Sequence, residues 1–179
     1  MGYGTAVKEA RATYDRTQDD VARSVHISDS MLSDIERGKR QAAPDVMQAL
    51  ARELDDPRVY LQAQLLATGG VGSPFLDRVD RHRMAMAAKV REELQEVIEI
   101  FDRAEAVLIN ARGPEGLSPE GTADLKRLMI EMIEAKTCLK NTIAQYCLEF
   151  RFSMRQLYEE HRLKLVAAGY LRQEKDAYR

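Results

Sequence analysis

The chain has 179 residues and a formal net charge of −2, which is long enough for one or two domains that bury a core. Hydrophobic residues make up 45% and charged residues 31%, so the composition excludes a chain too polar to fold. The net charge excludes a uniformly basic protein that binds nucleic acid or membranes through bulk charge alone. The first residues lack the pattern of a signal peptide, and no apolar run approaches the ~20 residues that a bilayer requires. With only two cysteines, we expect a reduced, cytoplasmic protein.

The composition and the punctuation of the chain predict an all-α protein divided by a glycine-rich segment. Aromatic residues make up only 6%, Trp is absent, and the alternating pattern of a β-strand does not persist anywhere. Residues 67–74 contain three glycines and a proline, which favour a flexible or turning segment. We predict several short helices over 1–66, a linker over 67–74 and two long helices over 75–179.

In the first segment, residues that cap helices indicate where the short helices begin and end. Thr17 suits the N-cap of one helix, because its hydroxyl can accept a hydrogen bond from a free backbone N–H. His26 breaks that helix, and Ser28 suits the N-cap of the next one. Gly38 suits the left-handed position that often follows a helix, and Pro44 begins a further helix. Two short helices joined by a tight turn form a helix-turn-helix core.

The motif residues within this segment also carry a family resemblance. They include Thr17, Gln18, Val21, Ala22, Ile27, Ser28, Leu32, Ser33, Ile35, Glu36, Arg37 and Gly38. Over about residues 3–65, the chain resembles the Cro/CI-type helix-turn-helix domain of phage repressors, the XRE family. The resemblance implies a five-helix domain in which Ser28–Glu36 lies in the major groove of DNA. It also implies an ion pair between Arg11 and Glu36, which we interpret as structural.

The same resemblance assigns side chains to the bases and the phosphates. It implies that base edges are contacted by Asp29, Ser30, Ser33 and Asp34. Phosphates are expected to be contacted by Gln18, Arg23, Arg37, Lys39 and Arg40. For the basic residues after the second motif helix, the alternative is a solvated turn that opposes the helix dipole.

Two of the predicted base-contacting residues depart from the family pattern. Family members usually place Arg, Gln, Lys, Ser or Thr where this chain has Asp29 and Asp34. A carboxylate can accept a hydrogen bond from cytosine N4, but phosphates repel it. The two acids therefore either contact bases or oppose non-specific binding.

Apolar residues at steps of three and four predict two long helices in the C-terminal segment. The first runs from about Phe75 or Leu76 to Asn110, which is roughly 50 Å at about 1.5 Å per residue. The second begins at Ser118-Pro119, or alternatively at Thr122, and reaches about Ala168, which is roughly 75 Å. We expect an antiparallel hairpin or coiled coil of these two helices.

The unequal lengths leave about residues 146–165 of the second helix without a partner in the chain. Exposing its apolar face to water would be costly, so either the helix bends back on itself or a second chain covers the face. We favour the second chain, which gives a two-fold homodimer. The predicted dimer interface comprises Tyr146, Phe150, Met154, Leu157 and Tyr158.

The sequence contains no pattern that indicates catalysis or a cofactor. We find no glycine-rich phosphate loop, nucleophile elbow or metal-ligand spacing, so we expect neither an enzyme nor a metal or cofactor site. Residues 1–66 are thus expected to bind double-stranded DNA, at an inverted repeat, and residues 75–179 to dimerise a repressor-like transcription regulator. One alternative is a helical interaction scaffold whose helix-turn-helix domain binds DNA weakly or not at all. A protein or small-molecule effector, of unknown identity, is compatible with either function.

Overall fold

The computed structural model describes residues 1–172, and all of their regular secondary structure is helical. The first five helices are α1 (Tyr3–Thr13), α2 (Gln18–Ser24), α3 (Asp29–Glu36), α4 (Pro44–Leu54) and α5 (Pro57–Ala67). After an irregular segment follow α6 (Arg83–Asn110), a 3₁₀ turn (Pro114–Gly116), α7 (Pro119–Phe150) and α8 (Met154–Ala167). The predicted all-α class and the five-helix N-terminal part are confirmed. No helix within residues 1–172 combines the length and apolarity needed to cross a bilayer.

The five N-terminal helices share one hydrophobic core. Its fully buried side chains come from different helices and include Val7, Val21, Leu32, Ile35 and Leu50. Burying an aliphatic side chain of this size contributes about 1.5–3 kcal/mol. Because the apolar side of α3 is buried in this core, its polar side is turned outward.

The ends of the short helices follow the local signals in the sequence. The Thr17 hydroxyl accepts the backbone N–H of Asp20 (3.1 Å), and the Asp20 carboxylate accepts the backbone N–H of Thr17 (3.2 Å), which forms a capping box. Ser28 caps α3 by accepting the N–H three residues later (3.2 Å). His26 in the turn (φ 58°) and Gly38 after α3 (φ 68°) are left-handed. The predicted caps and breaks are confirmed.

The first long helix begins at Arg83 and not at Phe75 or Leu76 as predicted. The preceding segment is held on α7 by the side-chain amide of Asn141. This amide accepts the N–H of Leu76 (2.8 Å) and donates to the carbonyl of Pro74 (2.9 Å). Phe75 is buried between them. These tertiary contacts bind backbone groups that a helix would use itself, so the end of the predicted linker and the residues after it are docked on α7.

The second long helix is interrupted, so the prediction of one helix through to Ala168 is wrong. α7 ends at Phe150, and Arg151 adopts a left-handed conformation (φ 60°). The N–H of Phe152 then donates to the carbonyl of Cys147 (3.1 Å), which closes α7 as a C-terminal cap does. Of the two outcomes considered for this helix, the structure has the bend.

The α6–α7 pair is an antiparallel hairpin of helices that are nearly equal in length. They have 28 and 32 residues, and Tyr146 of α7 donates its hydroxyl to the carbonyl of Arg83 at the start of α6 (3.2 Å). The residues buried at intervals of seven are Met86, Glu93 and Ile100 on α6 and Gly121, Leu128, Ala135 and Thr142 on α7. This is the period of helices that pack at a small angle. The predicted overhang is therefore absent, because the extra length belongs to α8.

The predicted dimer interface is divided by the bend. Met154 is buried within its own chain and is no longer available to a partner, because α8 turns toward the N-terminal domain. Tyr146 is half-buried against its own hairpin. Phe150, Leu157 and Tyr158 stay exposed, but they no longer lie along one helix.

Candidate nucleic-acid interface

The helix α3 is held by its inner side and presents a polar outer side. It packs against α1 and α2, and Leu32 and Ile35 are its fully buried anchors. Asp29 and Ser30 are exposed, and Ser33 and Asp34 are half-buried. At about 100° per residue, these four positions fall within an arc of roughly 140° around α3, so the structure places the four predicted base-contacting side chains on one broad outer surface. We call this surface the α3 face.

Glu36 at the end of α3 is the centre of a polar network that joins the first three helices. Its side chain is nearly buried and accepts Nε and Nη2 of Arg11, at 2.8 and 3.1 Å. Arg11 also donates Nη1 to the carbonyl of Arg16 (2.9 Å). The hydrogen bond to Glu36 raises the pKa of Arg11 above its ordinary value, against the opposing effect of burial. The structure thus brings together the two residues expected to form a structural ion pair.

Gln18 also belongs to this network. Its side-chain amide donates to Glu36 Oε2 at 2.7 Å, although the family resemblance implied a contact with phosphate. An amide has two N–H donors, so one donor remains for a phosphate while the other holds α2 to α3. The sequence identified the residue but not its bond to Glu36.

Two of the predicted phosphate-binding cations are already paired with acids three or four residues before them in the chain. Arg23 forms an ion pair with Asp19 in α2. Arg37 Nη2 lies 2.9 Å from Asp34 Oδ1, and Arg37 Nε donates to the carbonyl of Ser33 (3.2 Å). These pairs are exposed, so each is weak and can exchange its acid for a phosphate.

Lys39 and Arg40 differ from these paired arginines, and we treat them as a second class of cation. Both side chains are exposed, and neither takes part in an ion pair among residues 1–172. Their backbone N–H groups both donate to the carbonyl of Asp34, at 2.9 and 3.2 Å. The loop is therefore fixed against the end of α3 while its two charges remain available.

Gly4 is a structural requirement of the site that the sequence analysis missed. A Cβ at this position would lie 2.0 Å from the carbonyl oxygen of Ile35 and 3.1 Å from that of Glu36. The first turn of α1 therefore contacts the backbone at the end of α3 directly. The only signal in the sequence is a glycine inside a helix, where it is unfavourable by about 1 kcal/mol relative to Ala.

A buried ion pair at the start of α5, also missed, supports α1 from the other side. Arg58 donates Nε and Nη2 to the two carboxylate oxygens of Asp56, at 2.9 and 2.7 Å. It also donates to Thr13 (2.9 Å) and Glu9 (3.2 Å) of α1. Both members of the pair are buried, so removing either one would leave an unpaired charge inside the domain. Within residues 1–172, no cluster of His, Cys, Asp or Glu is suited to a metal ion.

Comparison with known proteins agrees with this geometry. Residues 7–59 match the helix-turn-helix family model, a span that contains α2, the turn, α3 and the loop with Lys39 and Arg40. No curated protein and no solved structure matches the chain. Residues 7–59 therefore form a helix-turn-helix domain of the XRE type, which supports a DNA-binding transcription regulator.

Proposed function

We propose that the protein is a sequence-specific, repressor-like regulator that binds an inverted repeat in double-stranded DNA as a homodimer. In this proposal residues 1–66 bind DNA and residues 75–179 dimerise the protein. The observation that carries the proposal is the α3 face, a polar surface on a short helix whose opposite side is anchored in the core. A helix presented in this way fits the major groove, which is wide enough to admit it.

The proposed base contacts use the α3 face. The hydroxyl groups of Ser30 and Ser33 can donate to or accept from a base edge, and Asp29 can accept from cytosine N4. Each good contact of this kind is worth about 1–3 kcal/mol of discrimination between base pairs. Asp34 differs from these three, because its carboxylate is held by Arg37. We therefore propose that Asp34 lowers the positive charge that Arg37 presents beside the groove, and that it does not contact a base.

The proposed phosphate contacts use the loop after α3 and the start of α2. Lys39 and Arg40 supply charge to the DNA backbone, with Arg23 and Arg37 as weaker contributors and the free N–H of Gln18 as a neutral donor. Contacts with phosphate position the protein and supply affinity without carrying sequence information directly.

A second candidate function is a helical interaction scaffold whose helix-turn-helix domain binds DNA weakly. The observation that favours it is the acid content around the α3 face. Asp29 is exposed at the start of α3, and two nearby arginines are paired with Asp19 and Asp34. These acids reduce the attraction of the surface for phosphates.

Selection of duplexes from a random library by the full-length protein, followed by salt titration, separates the two functions. A regulator enriches one inverted sequence, and its binding constant falls steeply as salt rises, because bound counterions are released. A scaffold enriches no sequence, even at low salt. The second outcome would contradict the proposal.

The substitution Asp34→Asn tests whether this acid restrains DNA binding. Without the carboxylate, Arg37 is released toward the phosphate backbone, so we expect tighter binding to every duplex. The slope of log K against log salt should steepen by roughly 0.9, the value for one additional phosphate contact. Asp124→Asn makes the same change of charge on α7 and serves as the control. Equal effects of the two substitutions would show that only net charge matters.

A further inference from the structure

The α6–α7 hairpin exposes large apolar side chains over much of its length. Leu94, Ile98 and Phe101 on α6 are 41–53% exposed, and Met132, Leu139 and Ile143 on α7 are 37–48% exposed. Clusters of this kind on a folded chain mark a surface that another molecule covers. We call these six residues the hairpin face.

Helix geometry places all six residues on the same side of the hairpin. At about 100° per residue, the three α6 residues lie roughly 100–160° around the helix from Ile100, which faces α7. The three α7 residues lie roughly 40–80° around their helix from Ala135, which faces α6. Both rotations have the same sense when each helix is viewed along its own chain direction. A two-fold axis perpendicular to the plane of the two antiparallel helices relates one helix to the other, so rotations of the same sense lead to the same face of the hairpin.

The N-terminal domain and its connecting segment occupy a different side of α7. Asn141 holds the segment before α6, Thr137 donates to Ser73 (3.2 Å), and Ala144 packs against Phe75 and belongs to the same buried cluster as Leu61 of α5. These α7 positions lie roughly 100° or more around the helix from the hairpin face. Lys140, which donates to Gln64 of α5 (2.6 Å), lies roughly 60° or more from it. The hairpin face is therefore a surface separate from the contact between the two parts of the chain.

We infer that the hairpin face is the interface with a second copy of this chain, and that two hairpins form a four-helix bundle. The 28 residues of α6 extend for roughly 42 Å, and two adjacent helices are roughly 20 Å wide. The face therefore offers on the order of 800 Å² per copy, the area that each partner contributes to a stable interface. Four-helix bundles bury such apolar stripes between facing helices.

The charges on the same face also suit a copy of itself. The exposed Glu105 and Lys136 project from the same side as the apolar residues, at roughly 140° and 100° by the same measure. Two further cations, Arg83 and Lys140, lie at roughly 100° and 140° by the same measure. Arg83 is paired with Glu149, and Lys140 donates to Gln64. The face thus carries exposed charges of both signs and no block of like charge that would repel a second copy. The inference rests on the proposed function in one respect, since a regulator of inverted repeats requires two copies. It moves the expected interface from Met154, Leu157 and Tyr158 to α6 and α7.

The test measures the mass of the full-length protein in solution by sedimentation or light scattering at micromolar concentration. We expect the wild type to have twice the chain mass of 20.3 kDa. Ile98→Glu and Ile143→Glu, which alter exposed positions of the hairpin face, should give folded monomers with unchanged circular dichroism. Ile130→Glu is the matched control. Ile130 lies between Ile98 and Ile143 in exposure but projects from the opposite side of α7, so this variant should remain a dimer.

Three results would overturn the inference. They are a wild-type monomer, a wild-type assembly larger than a dimer, and persistence of the dimer in both face variants. Binding to a single half-site duplex separates this inference from the proposed function. If Ile98→Glu is a monomer that keeps the sequence preference of the wild type at lower affinity, the result supports both the interface and the proposed function. If the wild type dimerises but selects no DNA sequence, the interface stands and the regulator does not.

Discussion

The atoms that position the α3 face belong in part to residues far from it in the sequence. Glu36 is bound by Arg11 from α1 and by Gln18 from α2, so its carboxylate determines how three helices meet. Gly4 lets α1 approach the carbonyl of Ile35 without a side chain between them. Base contacts need positional accuracy that the exposed helix cannot supply by itself. These buried groups supply it.

Gly4→Ala is expected to destabilise the protein and to weaken DNA binding. The added methyl would lie 2.0 Å from the carbonyl oxygen of Ile35, so α1 must move away from the end of α3. Overpacking of this kind costs about 1–3 kcal/mol, measured as the free energy of unfolding in urea. Gly2→Ala is the control, because a Cβ there has no neighbour within 4 Å. Equal stability of the two variants would refute the close-approach argument.

For single residues, the sequence predicted which ones matter better than it predicted the groups to which they are hydrogen-bonded. Thr17 and Ser28 could be recognised as caps because their hydrogen bonds reach only three residues along the chain. Arg11 and Glu36 came from the family resemblance. The clash at Gly4 and the bond from Gln18 depend on how helices approach one another in space, and no local pattern of residues records that approach.

Among the elements, the short helices were predictable and the ends of the long helices were not. α2, α3 and α5 begin at residues whose side chains cap them, and α4 begins at a proline. α6 begins late because Asn141, more than sixty residues away, binds the preceding segment. α7 ends at Phe150, and the guanidinium of the next residue, Arg151, lies over the ring of Tyr14 (5.4 Å). Both boundaries are set by contacts between distant parts of the chain, which hydrophobic periodicity does not reveal.

The loop after α3 is expected to contribute more to DNA affinity than the arginine on α2. Lys39→Gln should reduce the magnitude of the slope of log K against log salt by roughly 0.9, the value for one phosphate contact. Arg23→Gln should change the slope less, because the charge of Arg23 is already engaged by Asp19 and contributes less to a phosphate contact. Lys126→Gln on α7 is the control for net charge. Equal effects of Lys39→Gln and Arg23→Gln would contradict the division into two classes of cation.

In the whole molecule, the two parts of the chain are attached more firmly than a flexible linker would allow. The amino group of Met1 lies 2.7 Å from Asp77, and Lys140 of α7 donates to Gln64 of α5 (2.6 Å). The glycine-rich composition of residues 67–74 predicted only a flexible or turning connection. With docked domains, a dimer presents its two α3 faces at one fixed separation. We therefore expect it to prefer one spacing between half-sites.

The entry of α3 into the major groove is tested most directly by methylation protection on the selected duplex. Dimethyl sulfate modifies guanine N7, which lies in the major groove. We expect wild-type protein to protect guanines in two half-sites related by two-fold symmetry. Ser30→Ala should relax the choice of base at the same position in both half-sites and leave the other positions unchanged. Absence of N7 protection on a bound duplex, or full selectivity at every position in Ser30→Ala, would contradict the account.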